Sequence, residues 1–208
     1  MIDETALLTQ SNGSIYHLAL LPDELASTVI LVGDPGRVPL VSKHFDRITT
    51  RKSHREFVTH TGWYQGHRLS VLSSGIGSGG IDIVMNELDA LVNIDFNTRT
   101  VKQDFQQLTI LRLGTCGAIH PSVLPGETIL SNYAVGMDGI LNSYAVQPTR
   151  DERELLSAVQ TLLPSSISQC LYAGSSSLPL LQYFSEVTHR GLTLTCPSFF
   201  GGQGRTLR

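Results

Sequence analysis

The fold is decided by the stretch Thr28-Val29-Ile30-Leu31-Val32-Gly33-Asp34-Pro35-Gly36-Arg37. Its first half is apolar and β-branched, which predicts a short strand. Its second half is rich in glycine and proline, which predicts a turn where that strand ends. Apolar residues then recur at helical spacing as far as Phe45, so the turn is expected to open a helix over residues 37–45. Strand, turn and helix in this order are typical of α/β folds.

The rest of the chain repeats this alternation of strands and helices. A hairpin turn is expected at Gln65-Gly66, a helix where apolar residues recur from Ile81 to Val92, and a polar connection over residues 93–105. Further strands are predicted over residues 47–52, 56–64, 67–73, 108–113, 126–135, 170–173 and 192–196, and a further helix over residues 151–163. We therefore expect one α/β domain over residues 1–208, with a mixed, largely parallel central sheet flanked by helices.

The composition argues against several classes of protein. The 208 residues include 15 Lys and Arg against 18 Asp and Glu, and a net charge of −3 argues against a nucleic-acid partner. Hydrophobic residues make up 41% and charged residues 16%, which suits a folded core rather than a disordered chain. The chain has no run of about 18 apolar residues, so no membrane partner is expected. The acidic start lacks the pattern of a signal peptide, and the three cysteines are widely spaced, so we expect a cytoplasmic protein without a disulfide framework or a cysteine metal site.

Three glycine-rich turns follow predicted strands, at residues 33–37, 75–80 and 114–117. Ligands of open α/β sheets bind at the carboxyl ends of the strands. Glycines there let backbone N–H groups approach an anion closely, and the N-terminus of a following helix adds a favourable dipole. The turns therefore predict a site for a small anion.

Two arginines lie beside these turns and a third lies elsewhere, and all three could bind such an anion. Arg37 ends the first turn, Arg112 precedes the third, and Arg55 lies between two predicted strands. Arginine offers fixed, bidentate charge to phosphate oxygens. The alternative for each arginine alone is a solvated charge or a structural ion pair. Arg112 fits that alternative least, because it interrupts an apolar run that is expected to be a buried strand, where an unpaired charge is costly.

The middle turn also permits a competing interpretation. Residues 75–80 match the pattern G-x-G-x-x-G of dinucleotide-binding folds, and Asp95 lies 15 residues beyond Gly80. Asp95 follows a predicted helix directly, however, whereas the dinucleotide fold requires an acid at the end of a second strand. An NAD-dependent dehydrogenase is therefore kept as the lesser alternative.

Three further places could carry chemistry. Cys116 lies in the third turn and is either a nucleophile or a small residue near a ligand. We favour the second interpretation, because no His or Asp lies at a recognisable spacing from Cys116. His17 is either a ligand-contacting imidazole or an ordinary surface histidine. The stretch from Phe199 to Arg205 carries Gln203 beside aromatic residues, which can present donors and an acceptor to a planar polar ring, or it is a mobile tail.

Taken together, these segments resemble the nucleoside phosphorylase family, and within it the uridine phosphorylases. The resemblance runs in order along nearly the whole chain, through residues 16–18, 33–38, 53–57, 74–77, 112–117 and 199–205. It implies the family's α/β fold, assembly as a dimer-based homo-oligomer up to a hexamer, and phosphorolysis of uridine to uracil and ribose 1-phosphate. Inorganic phosphate is then the co-substrate, and no metal or organic cofactor is required.

The resemblance also implies a role for each matching residue. Phosphate would be held by Gly33, Arg37, Arg112 and Thr115, with Arg55 reaching into the neighbouring subunit's site. Base and ribose would be bound by Cys116, Gly117, Phe199, Gln203 and Arg205, with His17 reaching across a dimer interface toward the ribose 5′-hydroxyl. The catalytic residues would be Arg112, Thr115 and Arg205. Glu56 would bind a monovalent cation such as K⁺ at the dimer interface.

Two features depart from the family pattern. Cys116 lies where relatives often carry a hydroxyl residue, and the chain contains no Glu-Met-Glu motif of the kind that binds the ribose hydroxyls in the family. We therefore expect a fold that is incomplete at its C-terminal end. The alternative to an active enzyme is a truncated, catalytically impaired homologue that binds phosphate or base, or associates with complete subunits.

Overall fold

A computed structural model describes residues 1–208, which divide into two units, Met1–Thr115 and Cys116–Arg208. The expected organisation of residues 1–208 as one domain stays a prediction. No helix combines the length and apolar character needed to cross a bilayer.

The first unit is built on a five-stranded mixed sheet. Its strands are β1 (Thr28–Val32), β2 (Arg47–His54), β3 (Phe57–Tyr64), β4 (His67–Ser73) and, after the two-residue strands β5 (Ile94–Asp95) and β6 (Thr100–Val101), β7 (Thr109–Leu113). The order across the sheet is β2-β3-β4-β1-β7. Strands β4, β1 and β7 are parallel, whereas β2 and β3 join them as antiparallel neighbours. The helices are α1 (Arg37–Ser42) and α2 (Ser78–Asn93), with a 3-10 helix at Pro22–Glu24.

Alternation along β1 explains why helices cover both faces of this sheet. Val29 and Leu31 belong to a buried cluster with Val84, Leu88 and Leu91 of α2. The intervening positions of β1 contribute to a second cluster, formed with α1 and β4 (Ile30, Val32, Val38 and Val71). Because successive side chains of a strand point to opposite faces, a run that is apolar at every position is buried on both sides.

The second unit has a smaller sheet. Its strands are β8 (Ile129–Gly136), β9 (Tyr172–Ser175) and β10 (His189–Thr195), in the order β10-β8-β9. Strand β10 is parallel to β8, and β9 is antiparallel to it. The helices are α3 (Arg150–Gln160), α4 (Ser165–Ser168) and α5 (Leu178–Tyr183), with 3-10 helices at Ile140–Ser143 and Gly201–Gln203. Val135, Leu171 and Ala173 form its buried core, against which the apolar face of α3 packs.

The predicted mixed α/β class is confirmed, and the differences from prediction lie in details. The helix expected over residues 37–45 ends at Ser42, and the connection over residues 93–105 contains the short pair β5 and β6. The largest difference concerns the strand predicted over residues 108–113, which was expected to be buried. Strand β7 lies at the edge of the sheet and pairs only with β1, so all five of its residues are partly or fully exposed.

Candidate active site

A cleft lies where β1 and β4 end side by side. Gly33, Asp34 and Pro35 follow β1, Gly75 and Ile76 follow β4, and Glu56 from the turn between β2 and β3 completes the lining of a cleft of about 330 Å³. Both strands are parallel neighbours, so their following turns meet at the same edge of the sheet. The first two glycine-rich turns therefore converge, as the sequence predicts.

Arg112 is brought to this edge by the register of β7. In the parallel pairing of β1 and β7, Arg112 is the partner of Leu31, and Leu31 lies two residues before Gly33. A Cβ atom added at Gly33 would lie 3.5 Å from Nη2 of Arg112, an ordinary van der Waals distance, so the guanidinium lies directly beside the turn. Nη1 of Arg112 donates a hydrogen bond to the carbonyl oxygen of Leu113 at 3.2 Å.

Arg37 and Thr115 join the same group. Arg37 is the first residue of α1, and its Nη2 atom donates to Oγ1 of Thr115 at 3.5 Å, the long end of the hydrogen-bond range. The structure thus brings together Gly33, Arg37, Arg112 and Thr115, the four residues to which the resemblance assigns the phosphate. We refer to these four residues as the cradle.

The cradle carries positive charge that no acid neutralises. Neither Arg37 nor Arg112 forms an ion pair with an acidic side chain. Partial desolvation of the guanidinium lowers the pKa of Arg112, and the nearby charge of Arg37 lowers that pKa further. Like charges held together without a counter-ion favour an anion between them.

The expected burial of Arg112 within an apolar strand is wrong. Arg112 is exposed as a residue, because β7 is an edge strand, and only its guanidinium is partly desolvated. Anion binding by Arg112 is therefore argued from the neighbouring charge of Arg37 and not from burial of Arg112 in the core.

The glycines of residues 75–80 allow the tight connection between β4 and α2. Gly75 and Gly77 have positive φ angles of 69° and 99°, and a Cβ atom at Gly80 would overlap the carbonyl oxygen of Ser74. Asp95 lies in β5, which pairs only with antiparallel β6, and its carboxylate accepts hydrogen bonds from the backbone of Asn97 and Thr98. These bonds lower the pKa of Asp95. With no second parallel strand ending in this acid, the geometry argues against the dinucleotide alternative.

His17 and Arg55 belong to a second group on the first unit. Nδ1 of His17 lies 2.6 Å from Oε1 of Glu87, and the His17 side chain is 20% exposed, so it is no ordinary surface histidine. Arg55 adopts a positive φ of 56°, and its guanidinium stands 5.6 Å from the ring centre of Tyr16. Arg55 makes no hydrogen bond or ion pair with the cradle, so the structure packs it beside the segment that carries His17.

The predicted base-binding residues lie in the second unit. The Arg205 guanidinium stacks on the ring of Phe199 at 4.4 Å, and a Cβ atom at Gly117 would lie 3.8 Å from Nη2 of Arg205. Backbone bonds from Gln203 and Arg205 to Phe200 fold this stretch into a turn, so it has defined local structure. The Gln203 side chain makes no hydrogen bond within the protein, and Cys116 is an exposed free thiol.

Glu87 is the functional candidate that sequence reasoning missed. It lies on the apolar face of α2, next to Leu88 and three residues after Val84, and it is only 9% exposed. A charged residue on the buried face of an amphipathic helix needs a polar partner, and that pattern could have marked it.

Glu56 is the residue that is expected to bind a monovalent cation. No group of three or more His, Cys, Asp or Glu side chains is placed to hold a metal ion. Glu56 forms no ion pair within the protein, and its Cγ atom would lie 2.9 Å from a Cβ atom at Gly75. The Glu56 carboxylate therefore offers a single ligand at the rim of the cleft.

Comparison with known proteins extends this picture. Residues 27–208 match the family model of the phosphorylase superfamily. A uridine phosphorylase of Thermococcus kodakarensis is 34% identical over 193 residues, which are 93% of this chain and 59% of that protein. A uridine phosphorylase of Escherichia coli strain K12 is 28% identical over 199 residues, which are 94% of this chain and 66% of that protein.

A solved structure has a similar fold. The nucleoside phosphorylase of Trypanosoma brucei, described as showing uridine phosphorylase activity, superimposes with a TM-score of 0.88 at 28% identity. The match covers 97% of this chain and 72% of that one. The chain thus spans 59% and 66% of the length of the two curated relatives above, while nearly all of its own length is matched.

Proposed function

Because the chain belongs to the phosphorylase superfamily over residues 27–208, we propose that it catalyses the phosphorolysis of a pyrimidine nucleoside. Uridine and inorganic phosphate would give uracil and ribose 1-phosphate. The observation that carries the proposal is the pair Arg37 and Arg112, which stand beside Gly33 without an acidic partner. The names of the curated relatives, both uridine phosphorylases, support the choice of uridine.

In this proposal the cradle binds the phosphate dianion. The guanidinium groups of Arg37 and Arg112 form charge-assisted hydrogen bonds to its oxygens, and the Thr115 hydroxyl adds another. The turn at Gly33 lets the backbone approach the anion closely. Binding also neutralises the repulsion between the two arginines, so the free energy of binding includes the relief of an unfavourable contact.

The reaction exchanges one bond for another at the anomeric carbon of the ribose. The bond from that carbon to the base nitrogen breaks and its electron pair leaves with uracil, while a phosphate oxygen forms the new bond. Positive charge that develops on the sugar is stabilised by the phosphate dianion. Holding both reactants in line lowers the entropic part of the barrier. No step is assigned to a metal or an organic cofactor.

The base is assigned to the residues that the resemblance singles out near residues 116–117 and 199–205. Phe199 would pack on the uracil ring, and Gln203 and Arg205 would pair with its polar edge. Arg205 would also stabilise the negative charge on the departing base, which makes it catalytic with Arg112 and Thr115. Cys116 and Gly117 would line the same pocket. A site built to pair with polar groups rejects bases that leave those groups unpaired, which gives pyrimidine selectivity.

The assembly is part of the proposal. His17 and Arg55 would act in the site of a neighbouring subunit, so the minimal unit would be a dimer and the larger form up to a hexamer. The contact of Arg55 with Tyr16, the neighbour of His17, supports treating these residues as one element. A cytoplasmic location and a role in pyrimidine salvage complete this picture.

Glu56 is proposed as a ligand of a monovalent cation only where two subunits meet. In this proposal a neighbouring chain supplies further oxygen ligands beside the Glu56 carboxylate. The activity itself is not made to depend on that cation.

The experiment that tests the function measures product formation by the purified chain. Incubation with uridine and phosphate is expected to release uracil, followed by chromatography, and ribose 1-phosphate, followed by ³¹P NMR, in equal amounts. Omission of phosphate should abolish both products. The variant Arg112→Ala should abolish them too. As the matched control, Arg150→Ala should leave the rate unchanged, because Arg150 lies on the exposed surface of α3 and pairs only with Glu154.

Two other outcomes of these measurements would each support a different function. A chain that binds phosphate or uracil, or joins complete subunits, but releases no uracil is a non-catalytic homologue. A chain whose melting temperature rises with NAD and not with phosphate would instead support the dehydrogenase alternative.

A further inference from the structure

We infer that Glu87 is a positioning residue, which holds the His17 ring with Nδ1 as its hydrogen-bond donor and Nε2 turned outward to contact the sugar hydroxyl of the nucleoside. The inference rests on the proposed function for the identity of the ligand. The state of the His17 ring follows from the protein's own contacts and is tested separately.

The Glu87 carboxylate is surrounded by donors from one short segment. Its Oε2 atom accepts a hydrogen bond from the backbone N–H of Leu18 at 2.8 Å. Its Oε1 atom accepts from the backbone N–H of His17 at 3.0 Å and lies 2.6 Å from Nδ1 of the His17 ring. A side chain that carries a charge and is only 12% exposed requires such partners, because burial of an unpaired charge is unfavourable. Helix α2 thus anchors the segment with three N–H groups on one side chain.

This arrangement fixes the tautomer of His17. An ionised carboxylate can only accept hydrogen bonds, so the hydrogen between Oε1 and the ring belongs to Nδ1. In the neutral ring the lone pair is then on Nε2, which makes no hydrogen bond within the protein. With its side chain 20% exposed, His17 can present that nitrogen to a hydroxyl group of a ligand.

The backbone and the ring of His17 are also contacted by other residues. Nδ1 of His54 contacts the carbonyl oxygen of His17 at 3.0 Å. Tyr16 meets the His17 ring edge to face at 4.9 Å, and Phe57 does so at 6.4 Å. The His17 ring is therefore oriented before any ligand binds, which is what a preorganised contact requires.

A purely structural role for Glu87 makes a different prediction. If Glu87 served only to cap the backbone of His17 and Leu18, its loss would impair every substrate equally and would add to the loss of His17. If it acts through the ring, its loss matters only when His17 has a hydroxyl to contact. Uridine and 5′-deoxyuridine differ in one primary hydroxyl and separate the two cases.

The first experiment reads the tautomer directly, without activity. In ¹⁵N-histidine-labelled full-length protein, long-range ¹H–¹⁵N spectra at pH 8, with His17 assigned from its loss in His17→Ala, are expected to show the Nδ1–H tautomer. In Glu87→Gln the Nδ1–H population should fall. The matched control is Glu152→Gln, which alters a comparable buried carboxylate of the second unit that accepts hydrogen bonds from Thr149 and Ser175. A His17 ring in the Nε2–H tautomer, or one unchanged in Glu87→Gln, would overturn the inference.

The second experiment compares the two substrates. Glu87→Gln and His17→Ala are each expected to lower kcat/KM for uridine about tenfold, the size of one hydrogen bond to a substrate hydroxyl. For 5′-deoxyuridine both variants should stay within about twofold of the parent protein. The double variant should match His17→Ala alone, because residues that act as a unit are not additive. Equal losses on both substrates, or additive losses on uridine, would show that Glu87 is merely structural.

The two proposals fail in different ways. If the parent protein converts neither substrate, the proposed function fails, and the NMR result alone then decides whether Glu87 fixes the ring. If it converts both and the variants do not discriminate between them, the phosphorolysis stands and the positioning role is rejected.

Discussion

Arg37 lies close enough to Arg112 for its charge to lower the pKa of Arg112, and neither arginine forms an ion pair with an acidic side chain. The charge of Arg37 and partial desolvation together lower the pKa of Arg112, with desolvation the larger cause. The fold therefore keeps two like charges close together without an internal counter-ion. That arrangement lowers stability in the free protein and favours the binding of an anion.

The first prediction concerns these two arginines and Arg55. Arg112→Ala is expected to weaken the binding of inorganic phosphate at least about tenfold, because it removes a charge-assisted contact from the cradle. Arg55→Ala should weaken it less, since the Arg55 guanidinium stacks on Tyr16. Isothermal titration calorimetry measures both. Equal losses would contradict this ordering.

The free energy of unfolding provides the control for this comparison. Arg112→Ala removes a like-charge repulsion, so the variant without phosphate should be at least as stable as the parent. A variant that binds no phosphate because it has unfolded would be recognised by its lost denaturation transition.

The second prediction uses two adjacent glycines of α2. Gly80→Ala should lower the free energy of unfolding by about 1–3 kcal/mol, because the added Cβ atom would overlap the carbonyl oxygen of Ser74 and force the helix away from β4. Gly79→Ala should instead be neutral or stabilise by about 0.5–1 kcal/mol, since nothing lies within 4 Å of a Cβ atom there and alanine favours the helix. Urea denaturation measures both, and equal effects would refute the close approach at Gly80.

Local patterns explain how much of the fold could be predicted. The strand, turn and helix of residues 28–42 are specified by neighbouring residues, so the sequence predicts them closely. The edge position of β7 could not be predicted in this way. Its apolar run is compatible with a central or an edge strand, and the order of strands in the sheet, which depends on distant pairings, decides between them.

In the candidate site, too, some residues could be grouped from the sequence and others could not. The cradle residues follow predicted strands, so the rule that ligands bind at the carboxyl ends of strands is enough to group them. The pair His17 and Glu87 is separated by 70 positions in the sequence, and only the packing of α2 against the N-terminal segment brings them together. The resemblance offered a role for His17, but it gave no reason to connect His17 with Glu87.

The third prediction concerns the pH dependence of stability through Glu152. The backbone N–H of Thr149, followed by the hydroxyl of Ser175, lowers the pKa of Glu152 below its ordinary value of 4.5. A carboxyl whose pKa is lower in the folded state stabilises the protein above pH 4.5, and this contribution is lost as the pH falls through the folded-state pKa.

Comparison of the parent protein with Glu152→Gln tests the direction of this pH dependence. The parent is expected to be more stable than the variant at pH 7, by about 1–3 kcal/mol, because the carboxylate accepts several hydrogen bonds that an amide replaces poorly. The difference should shrink as the pH falls from 5 to 3. Glu154→Gln, at an exposed position, should show little difference at any pH. A gap that widens in acid would contradict the assignment.

The last prediction concerns Tyr172, whose ring packs against Gly136 and whose hydroxyl group lies near Asp138. Burial, followed by the hydrogen bond to Asp138, raises the pKa of Tyr172 to about 12. The neutral phenol is thus favoured by folding, so its contribution to stability is full below pH 10 and is lost as the pH rises towards 12.

Difference absorbance at 295 nm should show one tyrosine that ionises late in the native protein, and Tyr172→Phe should remove that late component alone. The advantage of the parent over Tyr172→Phe in urea denaturation should also decline above pH 10, because the unfolded parent then gains free energy by ionising. A late component that persists in the variant would assign the raised pKa to a different tyrosine.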